Sequence, residues 1–226
     1  IRAYKSEIGQ SLSREWGFEC IGMIRTEEQL QQYMEENPNM TIKGQKPGLG
    51  MLIYKDVRGP ESDEPDGIIT DDDKVAPITY GFTIGGKWKG FMLDIFFQGM
   101  AGHKKLMDFR GNGINAHTST FKYYNDHWTP ENTNASMPGA TQYKNNEASS
   151  FWVRNASFLR CKNISISYDL PKTFVQRIGI EKARLFLNGT NLFLLQDKVK
   201  WMDPEATSIS DYPVMRNFSF GLNITI

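Results

Sequence analysis

The sequence predicts an all-β fold, and more narrowly a transmembrane antiparallel β-barrel with long extracellular loops and one short loop helix. Apolar and polar residues alternate strictly at the end of the chain, as on a strand with one apolar face. The apolar members of that strand are Phe218, Phe220, Leu222, Ile224 and Ile226. Aromatic residues and glycines are frequent, while helical periodicity is rare. Long polar segments also alternate with short turns, which is the rhythm of an outer-membrane barrel.

The bulk composition narrows the function classes. The chain carries 26 Lys and Arg residues and 26 Asp and Glu residues, so its formal net charge is zero. General electrostatic binding to nucleic acid is therefore not expected. No apolar run reaches about 18 residues, so no membrane-spanning helix is predicted. Cys20 and Cys161 match no metal or redox spacing. The sequence starts at Ile1 without an initiator methionine, and we expect it to be a piece of a longer protein.

Residues 1–76 are expected to contain the end of a strand and an extracellular loop with one helix. The strand end is predicted from Ile1 to Ile8. The helix is predicted from Thr26 to Asn37, because its first residue can cap it and Gln29 stands at the capping-box position. Residues 38–76 are rich in Pro, Gly and Asp and are predicted to be loop.

The clearest local pattern is a hairpin in residues 77–100. Apolar and polar residues alternate on both sides of Lys89-Gly90, a tight connection that suits a hairpin. Lys87 and Asp94 share the face opposite the aliphatic residues, which fits a polar lumen and a lipid-facing wall. The residues predicted to face lipid, here and in the last strand, are Phe82, Ile84, Trp88, Phe91, Leu93, Ile95, Phe97, Phe218, Phe220, Leu222 and Ile224.

Residues 101–155 are long and polar and are predicted to form an extracellular loop, while residues 156–226 are predicted to supply the last three strands. The first of these strands runs from Phe158 to Asp169. Its alternation slips near Lys162-Asn163, and a β-bulge there would explain the slip. If the end of the chain is periplasmic, every short turn falls on the periplasmic side and every long loop outside.

Several ordered motifs resemble those of the SusC/RagA-type TonB-linked outer-membrane proteins. The hairpin carries Tyr80-Gly81-Phe82, Trp88-Lys89-Gly90-Phe91 and Phe96-Phe97-Gln98-Gly99. The later motifs are N-A-S-F-L-R-C-K-N-I from residue 155, Y-D-L-P from residue 168, L-N-G-T-N-L-F from residue 187, D-P-E from residue 203 and the closing segment 212–223. The order and spacing of these motifs carry the resemblance.

This resemblance implies a large plugged barrel of about 22 strands, of which the chain would supply the C-terminal portion. It implies an importer in the bacterial outer membrane that takes up an oligosaccharide or a peptide and performs no covalent chemistry. The implied partners are a SusD-like surface lipoprotein and the N-terminal plug and remaining barrel of the same protein. The TonB-ExbB-ExbD system would act through that missing part.

An Asp-rich segment is the main candidate for a metal site, with Ca²⁺ or Mg²⁺ as the expected ion. The resemblance suggests an EF-hand-like run of oxygen ligands. The ligands would be Asp56, Asp66, Asp73 and the carbonyl of Ile68. Arg58 stands at a ligand position, and an insertion from Pro60 to Pro65 breaks the spacing. The alternative is a solvated acidic turn.

Contacts to substrate or partner are expected from aromatic residues of the long loop, because flat apolar faces beside amide groups suit sugar or peptide binding. The candidates are Tyr123, Tyr124, Trp128 and Tyr143. The alternative is that the loop packs on itself. Loop histidines such as His103, His117 and His127 lack metal-site spacing and are interpreted as ordinary loop residues.

A soluble secreted β-sandwich that binds glycans through a Ca²⁺ loop is the alternative to the importer. It would explain the alternation and the acidic segment. It would not explain the rhythm of long loops and short turns or the order of the motifs, so the importer is the preferred prediction.

Overall fold

The computed structural model describes most of the chain. The described residues are 8–9, 16–42, 44–57, 68–69, 75–107, 122–140, 147–208, 211–212 and 214–226. The chain divides into two compact units, residues 1–74 with 104–154 and residues 75–103 with 155–226. We call the first the loop unit and the second the sheet unit.

Strands dominate the described residues. In chain order they are β1 (Trp16–Gly17), β2 (Cys20–Met23), β3 (Leu52–Tyr54), β4 (Ile68–Ile69), β5 (Ile78–Trp88), β6 (Phe91–Ala101), β7 (Lys104–Leu106), β8 (Val153–Asn155), β9 (Phe158–Asp169), β10 (Lys182–Asp197) and β11 (Asn217–Thr225). The α-helices are α1 (Glu27–Glu36) and α2 (Lys172–Val175). Short 3-10 helices cover Lys122–Asn125, Ser150–Trp152 and Gln176–Ile178.

A five-stranded sheet organises the sheet unit. Its strand order is β11-β10-β9-β6-β5, and every pair of neighbours is antiparallel. The predicted hairpin is confirmed, since β5 and β6 join through Lys89-Gly90. The φ angles of these two residues are 47° and 89°, the left-handed values that a two-residue turn between twisted strands requires.

β9 matches the predicted strand residue for residue. Opposite β6, Asn163 pairs with Phe96 and Cys161 pairs with Phe97, so Lys162 is the extra residue of a β-bulge. The bulge restores a common face to Cys161 and Ile164, which a regular strand would place on opposite faces. The slip in the sequence pattern therefore had the predicted cause.

The predicted helix is confirmed as α1. The Thr26 hydroxyl accepts a hydrogen bond from the Gln29 N–H at 3.3 Å. The Gln29 side chain accepts from the N–H of Arg25 at 2.8 Å, one residue before the cap, so the capping box is offset by one residue. At the other end, the Asn37 N–H donates to the Tyr33 carbonyl. No helix among the described residues is long and apolar enough to cross a membrane.

The loop unit has a core of its own, and the prediction that residues 38–76 and 101–155 are loop throughout is wrong. β3 and β4 lie in the first segment, and β7 and β8 lie in the second. The buried residues of this unit include Ile24, Ile42, Met51, Leu52, Tyr54, Met107, Tyr124 and Trp152. They come from distant parts of the sequence, so no local periodicity predicted that they would be buried together.

Pairing between distant segments holds the loop unit together. The Phe18 N–H donates to the Ala148 carbonyl at 2.8 Å, and the Ser150 N–H donates back to Phe18 at 2.9 Å. The rings of Phe18 and Tyr54 pack with their centroids 5.0 Å apart. Arg25 donates to the carbonyls of Thr133 and Ala135 at 2.7 and 2.8 Å. These contacts fix segments that local sequence would leave as loop.

Candidate functional site

The first candidate surface is one face of the five-stranded sheet. A row that crosses all five strands in register consists of Gly86, Leu93, Ile166, Leu187 and Phe220. All its large members are exposed, and Phe220 keeps 74% of its surface accessible. Exposed apolar patches of this extent mark a binding or membrane surface in most proteins.

The register places every residue predicted to face lipid on this same face. These residues are Phe82, Ile84, Trp88, Phe91, Leu93, Ile95, Phe97, Phe218, Phe220, Leu222 and Ile224. We call their side of the sheet the apolar face. Ring pairs occur along it, with Phe82 and Phe97 at 5.0 Å and Phe91 and Tyr168 at 4.4 Å between centroids. Contact with lipid itself stays a prediction.

The opposite face, one residue away along each strand, is mainly polar, although Met92, Phe96 and Phe186 also lie on it. The row next to the apolar one consists of Gly85, Asp94, Ser165, Asn188 and Ser219. Its residues are small or hydrogen-bonding, so this face can contact water or a polar solute. A sheet with one apolar and one polar face can separate an apolar medium from a polar one.

A charged cluster ties the segment after β10 to this polar face. Arg160 on β9 lies 2.6 Å from Asp203 and 2.7 Å from Glu205, and its side chain is only 4% exposed. Lys162 reaches the other Glu205 oxygen at 2.7 Å and the Asn191 side chain at 3.3 Å. Two cations thus balance two carboxylates in a largely desolvated place, where losing one partner would leave a charge uncompensated. The D-P-E motif of the sequence is therefore an anchoring motif.

A second ion pair lies at the opposite end of the sheet. Arg184 on β10 lies 2.5 Å from Asp169 at the end of β9, directly across the strand pair. Lys87 lies 3.6 Å from the other oxygen of the same carboxylate. The pairs are partly exposed, so their contribution to stability is modest.

The aromatic candidates of the long loop differ in their burial and in how much of them the structure describes. Tyr124 is 2% exposed, which favours self-packing for this ring over contact with a ligand. Trp128 is half-buried, and its indole N–H donates to the Arg25 carbonyl at 3.1 Å. The Trp128 ring lies so close to Gly50 that an added Cβ would approach it to 2.6 Å. The side chain of Tyr123 and the whole of Tyr143 lie outside the described residues.

Sequence reasoning missed a groove of about 310 Å³ in the loop unit. It runs beside β2, which pairs with β3 alone among the strands that the structure describes. Its lining includes the exposed Ile21 (60%) and Ser150, together with the half-buried Met23 and Phe151. An edge strand beside an apolar groove suits an extended polymer or a partner segment. The alternation of Cys20 to Met23 was too short to indicate it.

The predicted metal ligands fall only partly within the described residues. Asp56 is half-buried, and the Ile68 backbone lies in β4, where it pairs with Gly17. Asp66 and Asp73 lie outside the described residues. Across the described part of the chain, no group of three or more His, Cys, Asp and Glu residues could hold a metal. The metal site stays a prediction.

Two groups of the loop unit have displaced pKa values. Burial raises the pKa of the Tyr33 phenol, and the negative charge of Asp56 raises it further. Burial also raises the pKa of the Cys20 thiol beside the groove. The thiol is therefore protonated at neutral pH, which makes it a weak nucleophile.

Comparison with curated proteins finds relatives of one kind. TonB-dependent receptor P3 of Formosa agariphila is 31% identical over 168 aligned residues, which cover 67% of this chain and 16% of that protein. TonB-dependent receptor P26 of the same organism is 26% identical over 96% of this chain and 23% of its own length. TonB-dependent receptor SusC of Bacteroides thetaiotaomicron is 26% identical over 65% of this chain and 15% of its own length. The chain thus spans 15–23% of the length of these relatives.

Solved structures support the same fold. The RagAB peptide transporter superposes with a TM-score of 0.68 at 23% identity, covering 93% of this chain and 22% of that one. The "closed-closed" state of the RagAB peptide importer gives a TM-score of 0.62 at 24% identity over 92% of this chain and 22% of its own length. No protein-family model matches the chain. Sequence relatives, ordered motifs and fold nevertheless agree, and the chain belongs to the SusC/RagA-type TonB-linked outer-membrane proteins.

Proposed function

We propose that the chain is the C-terminal wall and outer-loop portion of a TonB-dependent importer of the bacterial outer membrane. The observation that carries this proposal is the exposed apolar face of the sheet, which lies directly behind a polar face. In water such a face would cost free energy in proportion to its area, whereas lipid removes that cost.

In this proposal the sheet unit forms the last strands of a plugged barrel of about 22 strands. Its apolar face contacts lipid and its polar face lines the lumen. Residues 1–76 and 101–155 lie outside the cell, the hairpin of residues 77–100 and residues 156–226 build the wall, and the end of the chain is periplasmic. The plug and the contact with TonB-ExbB-ExbD belong to the rest of the protein.

The cargo is a large nutrient, an oligosaccharide or a peptide, and a SusD-like lipoprotein binds above the barrel. Support comes from the relatives, one of which is named SusC, and from the RagAB structures, whose titles name a peptide transporter. No covalent chemistry is part of the proposal. The groove beside β2 is the proposed contact for the cargo or the lipoprotein, because it joins apolar surface to a strand edge.

The test is a detergent pull-down of the full-length protein from outer membranes, followed by mass spectrometry. Recovery from the membrane fraction together with a lipoprotein is the expected result. Recovery from the soluble fraction alone would overturn the proposal and favour the secreted glycan-binding sandwich. The described sheets already give little support to that alternative, because one has five strands and the other three have two each.

Removing residues 101–150 would be a poor test of the outer surface, because that segment carries core residues such as Tyr124. A point change in the groove is sharper. Ile21→Lys places a charge in the groove, and Met34→Lys on α1 is the control at another exposed position. We expect Ile21→Lys alone to reduce recovered lipoprotein or uptake of cargo. Equal loss, or no loss, in both variants would remove the groove from the proposal.

The metal proposal has its own test. If Asp56 and its neighbours hold Ca²⁺ or Mg²⁺, chelation with EDTA should lower the thermal stability of the loop unit, and added Ca²⁺ should restore it. An unchanged melting curve would leave the segment as a solvated acidic turn.

A further inference from the structure

The turn between β9 and β10 exposes two large apolar side chains. It consists of α2 and the 3-10 helix that follows it. Phe174 and Ile178 stand four residues apart, as neighbours one helical turn apart do, and they remain 57% and 62% exposed. In a connection of this length, turn residues are expected to be polar.

The exposure is not a sign of a loose segment, because the turn is fastened on both sides. Val175 is buried, and its carbonyl accepts from the Ile180 N–H at 3.1 Å. The Leu170 N–H donates to the Ala183 carbonyl at 3.0 Å, and the Glu181 N–H donates to Thr225 at 2.9 Å. The backbone is therefore anchored to the sheet, while the ring of Phe174 and the side chain of Ile178 stay exposed.

Positive charge surrounds the exposed pair. Lys172, Arg177 and Lys182 are all exposed, and Glu181 is the one acidic residue of segment 170–182. The turn thus combines apolar side chains with a net positive charge. This combination fits an interface that is apolar on one side and anionic on the other.

The neighbouring turn repeats the combination. The Asp169 N–H donates to the Gly90 carbonyl at 2.9 Å, so both turns lie at the same end of the sheet. There Trp88 is 69% exposed, and the ammonium group of Lys89 lies 4.8 Å from the centroid of its ring. Trp88 also belongs to the apolar face, so apolar surface and basic groups meet at this end.

We propose that the β9–β10 turn inserts Phe174 and Ile178 at the membrane interface and binds the phosphates of anionic lipid headgroups with Lys172 and Arg177. The inference rests on the proposed membrane position of the sheet and adds a lipid-binding element beyond the strands. Long basic side chains keep their charge at the headgroups while their stems cover apolar surface. Phosphate attraction is electrostatic, so salt should weaken it.

The experiment uses the full-length protein in vesicles of phosphatidylcholine, with or without phosphatidylglycerol. An environment-sensitive fluorophore is attached at Phe174→Cys, and quenching by lipids brominated near the headgroup is measured. A second protein carries the fluorophore at Ile84→Cys, on the apolar face. The signal of the labelled parent protein, which holds Cys20 and Cys161, is subtracted.

We expect the label at position 174 to be quenched, and quenching to rise about twofold with phosphatidylglycerol and fall again with salt. Lys172→Gln with Arg177→Gln should remove the dependence on phosphatidylglycerol. The matched control, Lys198→Gln with Lys200→Gln, neutralises two exposed lysines at the other end of the sheet and should leave it intact.

The two labels separate the possible failures. Quenching at position 84 without quenching at position 174 would overturn the turn inference and leave the importer proposal standing. Quenching at position 174 that ignores phosphatidylglycerol would overturn the headgroup assignment. Absence of quenching at both positions would overturn the membrane position and this inference with it.

Discussion

The two units use large apolar residues in different ways. In the loop unit many of them form a core, in which Trp152 and Met51 are buried. In the sheet unit the residues of the apolar face are exposed, and Phe218 and Phe220 are among the most exposed large apolar residues that the structure describes, although Phe158 is buried. An apolar core suits a unit surrounded by water, and an exposed apolar face suits the lipid contact that we propose for the sheet unit.

If the apolar face contacts lipid as proposed, one substitution type should have different effects in the two units. Loss of an inward side chain leaves a cavity, while loss of an outward one leaves none. In the proposed barrel, a charge added to the apolar face would enter lipid, while a charge added one residue away would meet water or the lumen. The expected outcomes below run from the largest effect to the smallest.

Trp152→Ala tests the inward core. Removing this fully buried ring should cost the loop unit about 3–5 kcal/mol of unfolding free energy. Limited proteolysis of the full-length protein in detergent should then cut within residues 104–154, while heat-modifiable mobility of the barrel on gels is unchanged. Phe220→Ala, as the outward counterpart, should leave proteolysis unaltered. Equal sensitivity in both variants would contradict the division into two kinds of packing.

Arg160→Met tests the charged cluster on the polar face. After this change, Lys162 is the one cation of the cluster that remains beside Asp203 and Glu205. Breaking a buried ion pair in this way should lower the free energy of unfolding by about 3 kcal/mol. Hydrogen exchange should rise in residues 198–208 and stay low in β9. Lys162→Met keeps both Arg160 contacts and should have a smaller effect. If the two variants behave alike, Arg160 is not the principal anchor.

Phe220→Arg and Ser219→Arg form a matched pair on opposite faces of β11. On the apolar face an arginine near the bilayer midplane costs about 2–4 kcal/mol, while on the polar face its cost is small. Urea titration of the full-length protein in vesicles measures both values. The contrast should disappear in a water-soluble protein, so similar values for both variants would argue against lipid contact.

Asp126 gives the smallest effect and reports on the water-exposed loop unit. Hydrogen bonds from the side chains of Ser136 and Asn132, and from the Ser136 N–H, lower the pKa of its carboxyl. A lowered pKa stabilises the fold above the ordinary value and loses that contribution as pH falls through the folded-state value.

Asp126→Asn should therefore weaken the loop unit slightly at neutral pH and remove part of its acid sensitivity below about pH 4. Hydrogen exchange of residues 126–137 between pH 7 and pH 3 is the measurement. Asn132→Ala removes one of the donors and should give an intermediate shift. An acid response identical to that of the parent would contradict the assignment.

Most strands of the sheet unit could be predicted from the sequence. An apolar face opposite a mainly polar one requires alternation along each strand, so the hairpin, β9 and β11 were visible as patterns of period two. Even the bulge at Lys162 was visible, because it shifts the parity of Leu159 and Cys161 against Ile164. Conversely, the contacts of Arg160 with Asp203 and Glu205 required the fold, since 43 residues separate the first pair.

The loop unit was not readable in this way. Its strands are two to four residues long, too short to display a period. Its core joins residues such as Phe18, Tyr54 and Trp152, whose proximity depends on tertiary pairing. The groove beside β2 arises from the same pairing, because Ser150 accepts a hydrogen bond from the Cys20 N–H at 2.9 Å. Composition suggested loop, and tertiary contacts overrode it.

Because of its bulge, β9 should respond differently to the loss of a residue at different positions along the strand. Since Lys162 is the extra residue opposite Phe96 and Phe97, deleting it would bring Cys161 and Asn163 into consecutive register and leave both halves of β9 on their present faces. Deleting Ser165 instead would turn one half of the strand over and present polar groups where apolar ones now stand. The faces of β9 should therefore survive a one-residue deletion only at the bulge, where the contacts of Lys162 with Glu205 and Asn191 would be lost.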